Sequence, residues 1–249
     1  LNLFYYSRRL KFIFGAVLSF FIVFLLFRLA FVWVFISGMA GNPSELIRAF
    51  WIGTRFDLRL ACFILLPLGL ALMVPVFNPM THFALRKIAR IYLCLAAVVI
   101  IFLYAFDFGN YAYLDHRLDI SSFKLLENPL IALNMAWESY PMGWMLLGLA
   151  IIIGCTWNGI KRAFRFLDDR PNLFRFRHKI FGFTMGGVIF LFAMWGTFRQ
   201  YRLLWSDAYF SEDPFIVAAG LNPILYFNET RSFVLEDFNE GKTREYYDL

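Results

Sequence analysis

Five apolar stretches, at about 12–36, 50–76, 88–106, 142–160 and 180–198, punctuate the 249-residue chain. Each is close to the roughly 20 residues that a helix needs to cross a hydrocarbon core. Lipid offers no partner to a backbone N–H or C=O, so runs of this length restrict the chain to helices that satisfy their own backbone. Composition agrees, because 60% of residues are hydrophobic and only 17% are charged. A soluble domain usually carries about a quarter charged residues. The expected fold class is all-α membrane, a five-transmembrane-helix bundle. Pro67 lies inside the second stretch and predicts a bend there.

Basic residues set the expected orientation. Thirteen of them fall at the N-terminus (Arg8, Arg9, Lys11), in the second connection (Arg86, Lys87, Arg90) and in the fourth (Lys161, Arg162, Arg165, Arg170, Arg175, Arg177, Lys179). The opposite loops, 37–49 and 107–141, hold Arg48, Arg117 and Lys124. The asymmetry predicts an N-in/C-out chain. Its five-span domain covers 1–200, and an extracytoplasmic juxtamembrane helix and linker cover 201–249. Ile120, Phe123, Leu125 and Leu126 predict an amphipathic interfacial helix in the outer loop. A second is expected after the fifth span, opened by Asn222-Pro223 and running to about Phe238.

The net charge of +6 does not signal nucleic-acid binding, because the cations sit in short clusters between apolar runs and not on a polar face. Cys62, Cys94 and Cys155 lie within apolar runs, as buried small side chains do. His82, His116 and His178 fall in three separate loops, none at metal spacing from a Cys or carboxylate. No nucleophile elbow, HExxH or P-loop pattern is present.

What remains is a layer of charge. With the expected topology, Arg28, Arg55, Asp57, Arg59, Asp107, Arg199 and Arg202 all fall near the outer leaflet boundary. Charge at that depth is costly unless it is partnered or functional. One reading pairs Arg28 or Arg55 with Asp57 between helices. The other gives the surplus cations an anionic lipid phosphate, since the planar guanidinium makes two parallel bonds to phosphate oxygens. Arg28, Arg55, Asp57, Arg59, Arg199 and Arg202 are therefore the candidate lipid-headgroup residues.

Several segments resemble the membrane domain of the lipoteichoic-acid-synthase-like family, the sulfatase-superfamily phosphoglycerol transferases. These are Gly53-Thr54-Arg55-Phe56-Asp57-Leu58, Asp107 with Arg117-Leu118-Asp119, Glu138-Ser139-Tyr140-Pro141 and Gly220-Leu221-Asn222-Pro223. The resemblance implies a membrane anchor in the bacterial cytoplasmic (inner) membrane that presents a lipid such as phosphatidylglycerol. In that family a C-terminal extracytoplasmic domain does the chemistry with a metal-activated threonine and manganese or magnesium. Its motif positions are not among these 249 residues, so no catalytic or metal-binding residue is carried over. The implied activity is phosphoglycerol or phosphoethanolamine transfer by the full-length protein, and not by this chain alone. A non-catalytic, anionic-lipid-binding sensor is the alternative. A small transporter fits less well, because the last two stretches carry no charge to line a polar path.

Overall fold

The computed structural model describes residues 8–73, 82–120, 176–197 and 200–231, with a few isolated positions besides. Its described elements are all helical. Three long helices come first: α1 (Arg8–Phe35), α2 (Pro43–Met73) and α3 (Phe83–Leu114). After them come α4 (Phe176–Trp195) and two short helices, α5 (Pro214–Gly220) and α6 (Pro223–Thr230). Two of the apolar segments, Phe12–Gly38 and Phe83–Leu114, are long and apolar enough to cross a membrane.

The helices meet along stripes of helical period. On α1 the buried stripe includes Ile13, Val17, Phe20, Phe24, Arg28 and Phe31; on α3 it includes Ala89, Leu93, Ala97, Ile100, Tyr104, Asp107 and Tyr111. Spacings of three and four keep each set on one helix face. Toward one end, Phe12 to Phe24 pack with Leu60, Ala61, Cys62, Leu65, Leu68 and Leu72 of α2 and with the α3 stripe. Toward the other end, Phe31 and Tyr111 meet Ala49 and the α5 residues Phe215, Ile216, Ala218 and Ala219. Aromatic rings join these layers: Phe27 stacks on Tyr104 with centroids 4.5 Å apart, and Tyr111 meets Phe31 edge-on at 4.7 Å.

The faces turned away from the stripes are also apolar. Leu18, Ile22, Leu26, Leu29 and Trp33 of α1 are exposed, as are Ile88, Ile91, Leu95 and Phe102 of α3. A helix apolar all round belongs in a core or in lipid. The charged residues Arg28, Asp57, Arg59 and Asp107, by contrast, are buried. The arrangement inverts that of a water-soluble bundle.

Helix limits match the sequence expectations at several points and differ at others. α3 continues past the expected end at 106 to Leu114, which places Asp107 inside a helix and not at its mouth. α2 runs through Pro67 without interruption. α4 stops at Trp195, and Gly196 follows with φ of +77°, the left-handed conformation that ends helices at glycine. The helix expected after Asn222-Pro223 is α6, with Asn222 as its N-cap and Pro223 at its start. Most of the fourth stretch, the outer-loop segment 121–126 and the tail beyond Arg231 lie outside the described residues.

Sequence reasoning did not find α5, although Asp213-Pro214 carries the same signal as Asn222-Pro223. Every residue from Phe215 to Gly220 is buried. The Asp213 carboxylate caps the helix by accepting from Phe215 N at 2.8 Å, and it also accepts from Ala40 N and Gly41 N at 2.7 and 2.5 Å. It thereby ties the α1–α2 connection to the start of α5. Burial alone raises the Asp213 carboxyl, but the N–H groups of Gly41, Ala40, Phe215 and Ile216 outweigh it and hold the pKa below the usual carboxylate value. A depressed carboxylate contributes stability above its unfolded pKa, near 4, and loses it as pH falls through the folded value. Asp213→Asn is therefore expected to lower the melting temperature at neutral pH and to flatten its decline on acidification below about pH 4. Thermal unfolding in detergent across that range checks both effects.

Candidate functional site

Charged side chains converge where α1, α2, α3, α5 and α6 come together. Arg28 is 3% exposed and Asp57 0%. The guanidinium grips the carboxylate with two bonds, Nε to Oδ2 and Nη2 to Oδ1, both 2.8 Å. Its remaining N–H groups reach backbone carbonyls. Nη2 donates to Gly53 O at 3.0 Å, and Nη1 donates to Leu221 O at 3.2 Å and to Ala219 O. A guanidinium has five N–H donors, and all five are matched here.

Burial and saturation explain why an arginine can sit at this depth. The carbonyls of Ala219 and Leu221 lie at the C-terminal end of α5, where helix carbonyls have no partner within the helix. Arg28 supplies donors to them and a positive charge to the negative end of the helix dipole. Asp213 supplies the opposite charge at the start of the same helix.

Asp57 is held from a second direction. Asn222 Nδ2 donates to Asp57 Oδ1 at 2.8 Å and to the Tyr104 hydroxyl at 3.0 Å. Meanwhile Asn222 Oδ1 accepts from Ile224 N and Leu225 N at 3.1 and 3.2 Å, which caps α6. One side chain thus starts a helix and locks it to α2 and α3.

A second buried pair stands beside the first. Arg117 Nη1 donates to Asp107 Oδ2, and Leu118 N donates to Asp107 Oδ1 at 2.9 Å. Arg117 Nε donates to Ala218 O at 2.9 Å, and its guanidinium carbon lies 3.5 Å from the Phe31 ring centroid. Two arginines therefore satisfy the last carbonyls of α5. Sequence reasoning placed Asp107 in the charge layer but left Arg117 as a loop residue. The separation of ten residues, across the end of a helix, carried no signal of pairing.

Gly53 is required by this geometry. A Cβ built on it would overlap the Arg28 guanidinium. The glycine is the notch through which the arginine passes between α1 and α2.

The candidate headgroup residues accordingly divide. Arg28 and Asp57 face each other and have no donor or open oxygen turned to a ligand. Arg59 is buried and donates from Nη1 to Leu203 O at 2.5 Å, while Arg55 is half-buried one turn away. Arg202 is exposed on the loop beside them. Arg199 lies outside the described residues. Among the described residues no three His, Cys, Asp or Glu side chains gather as a metal site needs.

Removing one partner of a buried pair leaves the other charge stranded, typically at about 3–5 kcal/mol. Asp57→Ala and Gly53→Ala should both destabilise the chain by about that much, the second by expelling Arg28. Arg28→Lys should not rescue, since an ammonium cannot reach the same set of acceptors. Replacing both partners, Arg28→Met with Asp57→Leu, should still be damaging because the carbonyls of Gly53, Ala219 and Leu221 lose their donors. Denaturant or thermal unfolding in detergent reads all four variants.

No family model, curated protein or solved structure matches this chain.

Proposed function

We propose that this chain is the membrane-anchoring, lipid-presenting domain of a sulfatase-like phosphoglycerol or phosphoethanolamine transferase. One observation carries the reading: the short motifs behind the resemblance, far apart in sequence, meet in one buried network. Gly53 and Asp57 receive Arg28, Asp107 receives Arg117, and Leu221 and Asn222 complete the first pair. Glu138-Ser139-Tyr140-Pro141 lies outside the described residues.

In this reading five spans cross the bacterial inner membrane with the N-terminus inside and the C-terminus outside. The polar network lies in the outer half of the bundle, and α5 and α6 form a cap over it. That cap gives a following extracytoplasmic catalytic domain, with its manganese or magnesium, a fixed point of departure. The anionic phospholipid, phosphatidylglycerol for instance, docks beside the cap at Arg55, Arg59 and Arg202. Arg28 and Asp57 hold the helices that shape this place.

Two measurements test the proposal together. Ser44→Cys should react with a membrane-impermeant maleimide in intact cells, and His82→Cys only after lysis; both positions are exposed. Phosphatidylglycerol should co-purify with the chain in excess over its share of the bulk lipid. Labelling of both cysteines from one side removes the crossing of α2, and bulk-like lipid removes the presenting role.

A further inference from the structure

Two of the buried arginines meet a carboxylate, and Arg59 meets none among the described residues. Arg59 is 5% exposed, and its Nε is buried without a hydrogen-bond partner. One turn earlier Arg55, on the same face of α2, also has a buried and unpartnered Nε. Aromatic rings partly answer these charges, Phe63 at 5.4 Å from Arg59 and Trp51 at 5.9 Å from Arg55. A ring face attracts a cation but does not neutralise it. Among the described residues no carboxylate stands within ion-pair distance of Arg55, Arg59 or Arg202. Arg202 follows this pair from the loop that bonds Arg59 through Leu203; at Arg59 the more distant Glu229 carboxylate attracts and the Arg202 guanidinium repels.

A buried cation with an unmatched N–H and no carboxylate in direct contact is costly wherever water is excluded. We infer that Arg55, Arg59 and Arg202 form a site for a phosphate-bearing anion, with Arg59 as its buried anchor. The tetrahedral phosphate suits the site because several oxygens can accept from more than one guanidinium fork at once. The Leu203 carbonyl takes one donor of Arg59 and so fixes which donors face the anion. The ring contacts hold both guanidinium planes without using their N–H groups. A carboxylate ligand has fewer oxygens to share among three cations. The site deepens the lipid-presenting part of the proposed function and rests on it only for the lipid as the source of phosphate. A headgroup or a free phosphate ester satisfies the same chemistry.

The test uses the full chain in a phosphate-free maltoside detergent, with thermal unfolding titrated by three probes. These are dihexanoyl phosphatidylglycerol, dihexanoylglycerol as the phosphate-free counterpart, and inorganic phosphate. Wild type should be stabilised by phosphatidylglycerol and not by dihexanoylglycerol. Arg59→Gln should weaken the apparent affinity about tenfold or more, as loss of a bidentate charged contact does. Arg55→Gln should weaken it by less, and Arg48→Gln, whose guanidinium lies 4.3 Å from the Phe210 centroid, should leave it unchanged. Equal potency of inorganic phosphate assigns the site to a free phosphate; response to the lipid alone assigns it to a headgroup. Indifference of wild type to both phosphates overturns the site, and so does full affinity in Arg59→Gln. Should Arg59→Gln fail to fold, Arg55→Gln decides, and unchanged affinity overturns the inference. Phosphate binding with a failed crossing of α2 removes the transferase-anchor reading and keeps this site; the reverse result removes only the site.

Discussion

The Arg28 guanidinium is the contact on which the rest of the bundle depends. It joins two oxygens of Asp57 to three backbone carbonyls, and those carbonyls belong to α2, α5 and the turn that leads into α6. A charge removed from water is tolerable only when its partners are complete. Here completeness is a matter of counting, five donors against five acceptors. Asn222 repeats the device with an amide, using both sides of its head group. The outcome is a polar centre inside a molecule whose outer faces are apolar.

The network also accounts for α5. A seven-residue helix with all but its first residue buried cannot leave its terminal backbone groups to water. Asp213 meets its N–H groups at one end, and Arg28 and Arg117 meet its carbonyls at the other. Both charges have the sign that the helix dipole favours. Arg28, costly in an apolar span, and Arg117, which looked like an ordinary loop residue, are the means by which a short helix is held among long ones.

Much of this was legible from the chain, and the rest was hidden for identifiable reasons. The apolar runs marked α1, α2, α3 and α4 because length and hydrophobicity are properties of the segment itself. The two caps at Asp213-Pro214 and Asn222-Pro223 are equally local signals, yet only the second was read. The segment 200–249 as a whole turns polar, and that average concealed a buried apolar heptapeptide. Arg28 lies in register with Phe24 and Phe31, so its inward face follows from helical period. Its carboxylate was legible as Asp57, but nothing local decided between Arg28 and Arg55 as the arginine that would meet it, and the structure pairs Arg28 with Asp57. The Arg117–Asp107 pair needed the third helix to run two turns past its apolar core, and Asp107, Gly109 and Asn110 mask that continuation in a sequence. Arg55, Asp57 and Arg59 looked like one cluster on the page. In space the helix turns Asp57 inward to Arg28 and Asn222, while Arg59 bonds the loop at Leu203 and Arg55 lies over the Trp51 ring one turn away.

The order of synthesis adds a consequence to the Arg28 network. Arg28 and Asp57 are 29 residues apart, and their pair can form as soon as α1 and α2 lie side by side. The carbonyls of Ala219 and Leu221 and the amide of Asn222 are made roughly 160 residues after Asp57, many seconds later at ribosomal speed. During that interval the guanidinium has donors without acceptors. A chain threaded into a bilayer as it emerges would carry these two helices as one hairpin, each charge sheltering the other. The last short helices would then close the network as the final act of assembly. A nascent chain stalled before Leu221 would hold the hairpin in its least protected form, and quality-control proteases that recognise intramembrane charge would meet it there.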